Sequence, residues 1–327
     1  MDTNNLQPTQ PVLNTFRKKS FFEKNRLWLN VLLFIVTIFS TFFVGFSWSI
    51  NYRFAESLTQ DVEFSLGPHV FLDPQIIGLS LIYAVALIGI LLGHELGHYL
   101  ACRYYKIDAT LPFFIPAPTI IGTMGAFIKI RSPITQKRQL FDIGVAGPLV
   151  GYILSVPALI YGLSLSKAVT AVPDEGSIIF GEPLLLKIIG SYFFRGVPSD
   201  FDIILHPVAF AGWVGILVTA LNLFPIGQLD GGHIFYAMIG KKSVRYARLI
   251  LVIFVVMGVF FWVGWFVWAV LISVLGVKHP RIIDEYVPLS PLRKIIGLAV
   301  ILIFVLSFIP DPVKGYSLLD IIGPYLF

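Results

Sequence analysis

The sequence predicts an all-α polytopic membrane protein with about six to seven transmembrane helices and one re-entrant, β-hairpin-like loop. The 327 residues are 56% hydrophobic and only 13% charged, whereas an ordinary soluble domain carries about a quarter charged residues. Several apolar runs reach the ~20 residues that cross a hydrocarbon core. The net charge of +5 arises from Lys and Arg beside these runs, which is typical of cytoplasmic loops. Nucleic acid is therefore not an expected partner.

The N-terminal part predicts a cytoplasmic tail followed by a first span. Residues 1–26 are polar and lack apolar periodicity, so we expect a mostly disordered tail before a single membrane-embedded domain, 27–327. The apolar run 28–48 follows Arg17, Lys18 and Lys19. It is too long for a signal peptide and lacks a small-residue cleavage site, so the N-terminus is expected in the cytoplasm.

A second span is predicted at residues 74–103, after an acidic loop that favours the outer side. It contains the run His94-Glu95-Leu96-Gly97-His98 near its end. At about 100° per residue, the two imidazoles lie on one face of a helix. Arg103 and Lys106 follow, which places this run on the cytoplasmic side of the membrane midplane.

The next apolar stretch, 110–131, is interrupted by three prolines and two glycines, which excludes a continuous helix. Irregular backbone at membrane depth must be buried in protein or line a wet cavity. We therefore expect a re-entrant hairpin beside the His-Glu run. Its second arm, 125–131, alternates weakly and indicates an edge strand. Such an edge, at Gly125, Ala126 and Phe127, can bind an extended peptide by β-augmentation.

The remaining spans follow from apolar runs. A third span is expected at 140–165, and a fourth at 207–223 that breaks before Asp230. The run 249–277 is long for one span and short for two; the Lys and Arg residues after it favour a hairpin that bends near Gly258 or Gly264. A last span is expected at 295–308.

Ionisable side chains in a lipid-buried helix are costly and usually functional. Two imidazoles one helical turn apart with an adjacent carboxylate form an arrangement that binds Zn²⁺ and activates water. His94 and His98 supply two ligands, and catalytic zinc normally takes a third from the protein. Asp230 is the leading candidate, although an Asp at that position could equally be a helix N-cap. His233 is a weaker competitor and is interpreted as a packing or supporting residue.

These motifs resemble the site-2 protease family of intramembrane zinc metalloproteases. The shared features are the His-Glu run, Gly147-Pro148, and Asn222-x-x-Pro225 followed by Asp230-Gly231. The resemblance implies a catalytic core at about 75–240 and one Zn²⁺ per chain, bound by His94, His98 and Asp230. It also implies Glu95 as the general base and Asn222 as a group that holds the substrate strand or the developing oxyanion.

The residues 122–126 resemble the branch with chloroplast and cyanobacterial members, which lacks an inserted PDZ domain. One departure is Gly151, since many relatives carry Asn three residues after the Gly-Pro proline. The expected activity is hydrolysis of peptide bonds within or near transmembrane segments of other membrane proteins. The substrate helix must unwind first, because its carbonyls are hydrogen-bonded.

Three other functions fit the composition less well. A metal transporter would carry ligands at several depths, whereas these cluster at one. A pseudoenzyme would be expected to lack Glu95 or a ligand. The zinc protease type that trims prenylated proteins draws its third ligand from a Glu in a later helix, and here Glu285 lies outside the later spans.

Overall fold

The computed structural model describes residues 27–55, 67–170, 179–198, 201–276, 282, 284 and 287–322. The predicted tail 1–26 and Glu285 lie outside this part of the chain. The described helices are α1 (Leu27–Arg53), α2 (Pro74–Tyr104), α3 (Lys137–Ser164), α4 (Leu184–Phe193), α5 (Pro207–Asn222), α6 (Asp230–Ile239), α7 (Ser243–Phe260), α8 (Gly264–Leu275), α9 (Pro291–Ser307) and α10 (Leu318–Ile322). The described strands are β1 (Phe113–Pro116), β2 (Thr123–Phe127), β3 (Lys167–Thr170) and β4 (Phe201–Ile204).

Four helical stretches in the described residues are long and apolar enough to cross a membrane. These are α1, α2, α3 and the stretch Asp230–Phe260, which comprises α6 and α7 with a 3₁₀ turn between them. Helices α4, α5 and α8 are also apolar but shorter, at 10–17 residues. The prediction of a mostly helical membrane protein is therefore confirmed.

Helix α5 forms the centre of the bundle. All but three of its 16 residues are buried, as expected for a helix that is apolar on every face. Small residues let the neighbouring backbones approach: a Cβ added at Gly212 would lie 2.6 Å from the Leu159 amide nitrogen, and one at Gly215 would lie 2.2 Å from Ser155 Oγ. The last residue of α5, Asn222, thus lies inside the protein, close to α2 and α3.

The hairpin predicted after α2 is present as an antiparallel β1–β2 pair, in which Phe113 pairs with Phe127 and Phe114 with Ala126. Two backbone carbonyls in its turn accept hydrogen bonds from helix side chains. Ser40 Oγ donates to the Gly122 carbonyl at 2.6 Å, and Tyr83 Oη donates to the Ile121 carbonyl at 2.9 Å. The hairpin is therefore sheltered by protein, as irregular backbone at membrane depth requires.

The boundaries of the second arm were predicted wrongly. Strand β2 begins at Thr123, two residues before Gly125, and ends at Phe127 rather than Arg131. Beyond Phe127 the ladder of backbone hydrogen bonds is not continuous, because the Lys129 amide donates to a side-chain atom, Thr110 Oγ1. Further on, the Arg131 amide donates to the Asp108 carbonyl.

The apolar run 249–277 is divided into α7 and α8 by a turn at residues 261–263. The Val263 amide in this turn donates to the Tyr316 carbonyl at 2.8 Å. A Cβ at Gly258 would meet the Phe266 ring at 2.8 Å, so the two helices pack against each other. The bend lies between Gly258 and Gly264, the two positions that the sequence suggested. Strands β3 and β4, which the sequence analysis missed, pair between the end of α3 and the start of α5.

Candidate metal centre

Helix α2 brings two buried imidazoles together. His94 and His98 are 3% and 6% exposed, and their Nε2 atoms lie 3.2 Å apart. Their separation by one helical turn places both rings on the same face. Two nitrogen atoms thus point into one small volume.

Asp230 completes this cluster from another part of the chain. Its Oδ2 atom lies 3.3 Å from His94 Nε2 and 3.2 Å from His98 Nε2. Asp230 is the first residue of α6, where Leu229 is the N-cap and no side-chain cap bond forms. Its carboxylate contacts the imidazoles instead. In the described residues, these three form the group whose ligand atoms all lie within 4.8 Å of one another.

The tautomer of His98 is consistent with metal binding. Its Nδ1 atom lies 2.7 Å from the Ile143 carbonyl oxygen on α3, so Nδ1–H is the donor and the Nε2 lone pair faces the cluster. Metal-binding histidines commonly donate their second ring N–H to a carbonyl in this way. Two imidazole nitrogens and one carboxylate oxygen form a donor set suited to catalytic zinc. The residues present therefore fit a zinc ion.

Glycines on α3 make room for the imidazoles. A Cβ at Gly147 would lie 2.0 Å from His98 Nε2, and one at Gly151 would lie 3.0 Å from His94 Nδ1. A Cβ at Gly97 would in turn lie 2.5 Å from the Ala146 carbonyl oxygen. The Gly147-Pro148 pair thus lets the α3 backbone contact the ring that carries a candidate ligand.

Glu95 is buried beside this cluster, and its carboxylate accepts a hydrogen bond from the Ile128 amide. Lys129, by contrast, exchanges hydrogen bonds with Thr110 on the β1 side of the hairpin. Backbone groups alternate in direction along an extended chain. Ala126 therefore presents its amide to the same edge as Ile128, the edge that faces Glu95.

Asn222 also reaches the cluster. Its Nδ2 atom lies 3.3 Å from His94 Nε2. His233, the weaker ligand candidate, is not part of the three-residue group in the described residues. His233 lies on the part of α6 that packs on α3, since a Cβ added at Gly144 of α3 would lie 3.1 Å from the His233 Cβ.

The model of peptidase family M50 matches residues 82–263, a range that contains every residue of the cluster together with Glu95 and Asn222. The chain belongs to peptidase family M50. This confirms the resemblance to site-2 proteases that the sequence motifs indicated.

Several plant proteins are similar to this M50 chain. It is 33% identical over 223 residues to "Probable zinc metalloprotease EGY1, chloroplastic" of Arabidopsis thaliana, covering 65% of this chain and 40% of that protein. The identity to the protein of the same name from Oryza sativa subsp. japonica is 32%, covering 66% and 38%. "Probable zinc metalloprotease EGY2, chloroplastic" of Oryza sativa subsp. indica is 31% identical, covering 69% and 41%. The chain thus spans about two fifths of the length of these relatives.

Two backbone groups at this M50 site were missed in the sequence analysis. These are the Ile143 carbonyl, which holds His98, and the Ile128 amide, which binds Glu95. Neither has a signal in the sequence, because every residue carries a backbone N–H or C=O and only the packing of helices decides which one meets the site.

Proposed function

We propose that this chain is an intramembrane zinc metalloprotease that hydrolyses peptide bonds within or near transmembrane segments of other membrane proteins. The observation that carries the proposal is the meeting of His94, His98 and Asp230, from two separate helices, beside a buried Glu95. Membership of peptidase family M50 and the similarity to proteins named zinc metalloproteases support the same reaction.

His94, His98 and Asp230 would hold one Zn²⁺ per chain. When bound, zinc supplies a Lewis acid that lowers the pKa of water to about seven and polarises a carbonyl. Glu95 takes the proton from the attacking water and delivers it to the leaving amine. The Ile128 amide orients the Glu95 carboxylate for this transfer. The Asn222 amide, adjacent to His94, holds the substrate strand or stabilises the developing oxyanion.

The substrate would lie extended along the β2 edge at Gly125, Ala126 and Phe127. A helical substrate has its carbonyls hydrogen-bonded within the helix and must unwind locally before hydrolysis. Pairing with a strand edge replaces those lost backbone bonds. The edge that carries Ala126 faces Glu95, which supports this placement.

Ala126→Pro tests the strand, since it removes the amide on the edge that faces Glu95. One net hydrogen bond is worth about 1 kcal/mol, so we expect the Michaelis constant for a membrane-spanning reporter to rise about fivefold, with zinc content unchanged. Ala126→Ser, which keeps the amide, is the matched control. Equal Michaelis constants for the two variants would remove Ala126 from substrate binding.

In the membrane we propose six to seven spans, with the N-terminus and the active site toward the cytoplasm. The domain would extend over 27–327, with its catalytic core at about 75–240. Basic residues support this orientation, because Arg103 lies in the last turn of α2, Lys106 follows that helix, and further cations precede α3 and follow α6. Positive charge of this kind is retained on the cytoplasmic side.

Cleavage in a defined membrane tests the proposed reaction. The purified full-length chain is reconstituted into vesicles with a labelled protein containing one transmembrane helix. We expect cleavage within or near that helix, loss of cleavage after a zinc chelator, and recovery when zinc is added back. A soluble peptide of the same sequence gives the comparison for membrane dependence. Cleavage that persists in metal-free protein would contradict the proposal.

A further inference from the structure

A polar cluster outside the catalytic residues links three helices at one end of the bundle. It comprises Tyr105 at the end of α2, Asp142 on α3 and Arg293 on α9. Arg293 binds Asp142 through two parallel bonds: Nε donates to Oδ1 at 2.8 Å and Nη2 donates to Oδ2 at 2.7 Å. Bidentate arginine–carboxylate pairs are among the strongest and most directional hydrogen-bonded contacts in proteins.

Tyr105 closes the cluster from the helix that carries the histidines. Its hydroxyl donates to Asp142 Oδ2 and lies 3.5 Å from Arg293 Nη2. Burial and the Asp142 carboxylate raise the pKa of Tyr105, so the hydroxyl remains a donor. A second contact holds α3 nearby, because Asp284, which lies between α8 and α9 in the sequence, accepts the Lys137 amide at the start of α3 through Oδ1 at 2.6 Å. The end of α3 is thus held by groups from both sides.

The turn of α3 that this cluster holds is also the turn that contacts the metal centre. Ile143, the residue after Asp142, accepts the Nδ1–H of His98 through its carbonyl at 2.7 Å. One residue further on, a Cβ at Gly144 would lie 3.3 Å from the Asp230 carbonyl oxygen. The α3 backbone here has no side chain between it and the ligands, so a displacement of α3 is transmitted directly to them.

We propose that Arg293 is a positioning residue for the metal centre, acting through Asp142 on the Ile143 carbonyl that orients His98. The inference rests on the proposed function in taking His98 to be a zinc ligand. Arg293 lies beyond the range 82–263 that matches the M50 family. Helix α9, which follows the matched range, therefore contributes to a site whose ligands all lie within that range.

A purely structural role for the cluster predicts a different result from a positioning role. If the cluster only attaches α9 to the bundle, its loss would change the thermal stability of the metal-free protein and leave the affinity and geometry of metal binding unaltered. Loss of a positioning group alters how the metal is bound, because the hydrogen bond to the second ring nitrogen of the histidine fixes the tautomer and orientation of that ligand. Zinc affinity and the visible spectrum of the cobalt-substituted protein report the second effect separately.

The test uses the full chain in detergent, with zinc affinity measured by competition against a chromophoric chelator. Removal of groups that orient a metal ligand commonly weakens metal binding by about 10–100-fold. Because Arg293 acts one contact further away, we expect Arg293→Gln and Asp142→Asn each to weaken zinc binding about tenfold and to shift the cobalt spectrum. The double variant should resemble either single one, since both remove the same link.

Lys294→Gln is the matched control, because Lys294 is the exposed neighbour of Arg293 on the same helix. It should retain the wild-type affinity and spectrum. Should Arg293→Gln fail to fold, Arg293→Lys keeps the charge without the bidentate geometry and should show an intermediate loss. Wild-type zinc affinity and an unchanged cobalt spectrum in the Arg293 and Asp142 variants would overturn the inference.

The outcomes also separate this inference from the proposed function. Zinc-loaded wild-type protein that cleaves the reporter, with Arg293 variants indistinguishable from it, overturns only the role of Arg293. Weaker zinc binding in those variants of a protein that cleaves no reporter supports the positioning role and contradicts the protease. A wild-type chain that binds no zinc overturns both.

Discussion

Glu95→Gln is expected to remove nearly all cleavage of a membrane-spanning reporter while leaving zinc bound. A glutamine keeps the size of the side chain but cannot accept the proton of the attacking water. Positioned acid–base groups contribute about 10²–10⁴-fold to enzymatic rates, and we expect a rate loss in that range. Zinc should be retained because the three candidate ligand atoms belong to His94, His98 and Asp230.

The measurement is the initial cleavage rate in vesicles, combined with zinc per chain in the same preparation. Glu182→Gln provides a matched control, because Glu182 is exposed and far along the chain from the site. It should retain the wild-type rate. Retained cleavage in Glu95→Gln would remove Glu95 from the role of general base, and loss of zinc would assign it to the metal site instead.

The part of the site that lies on a single helix could be predicted from the sequence. His94 and His98 lie four residues apart, and a helix of known periodicity places such residues on one face whatever surrounds it. The boundaries of α2 were also close to the prediction, since an apolar run between a proline and a pair of cations is a local signal. Asp230 required more, namely a recognised helix break and a family resemblance.

The contacts that other elements of the fold make with this helix could not be predicted in this way. The contacts of Ile143, Ile128 and Arg293 depend on how α3, the hairpin and α9 settle against α2. No periodicity in the sequence encodes those registers. The missed strands β3 and β4 have a similar cause, because each is four residues long and such short runs resemble ordinary loops.

Gly151 illustrates how the structure changes the interpretation of a sequence departure. From the sequence, the absence of a polar residue there weakened any side-chain role at that position. In the structure Gly151 lies against the His94 ring, where an added Cβ would come within 3.0 Å of Nδ1. The glycine therefore permits close packing of α3 on the first imidazole, as Gly147 does on the second.

Replacement of Asp230 is expected to have the largest effect on the metal itself. The Asp230 Oδ2 atom lies within 3.3 Å of both imidazole Nε2 atoms, and its loss leaves two protein ligands where catalytic zinc normally has three. We expect Asp230→Ala to lose almost all bound zinc and all cleavage. Asp230→Asn is the sharper variant, because Asn is well tolerated at helix N-termini but lacks the carboxylate charge, and it should also lose most of the zinc.

The most direct test of the account is therefore the zinc content of the purified chain, by elemental analysis, in the wild type and in these two variants. We predict about one zinc per wild-type chain and close to none in Asp230→Ala, with folding of all three verified by their helical circular dichroism. A metal-free wild type, or an Asp230→Ala variant that keeps its full zinc content, would contradict it.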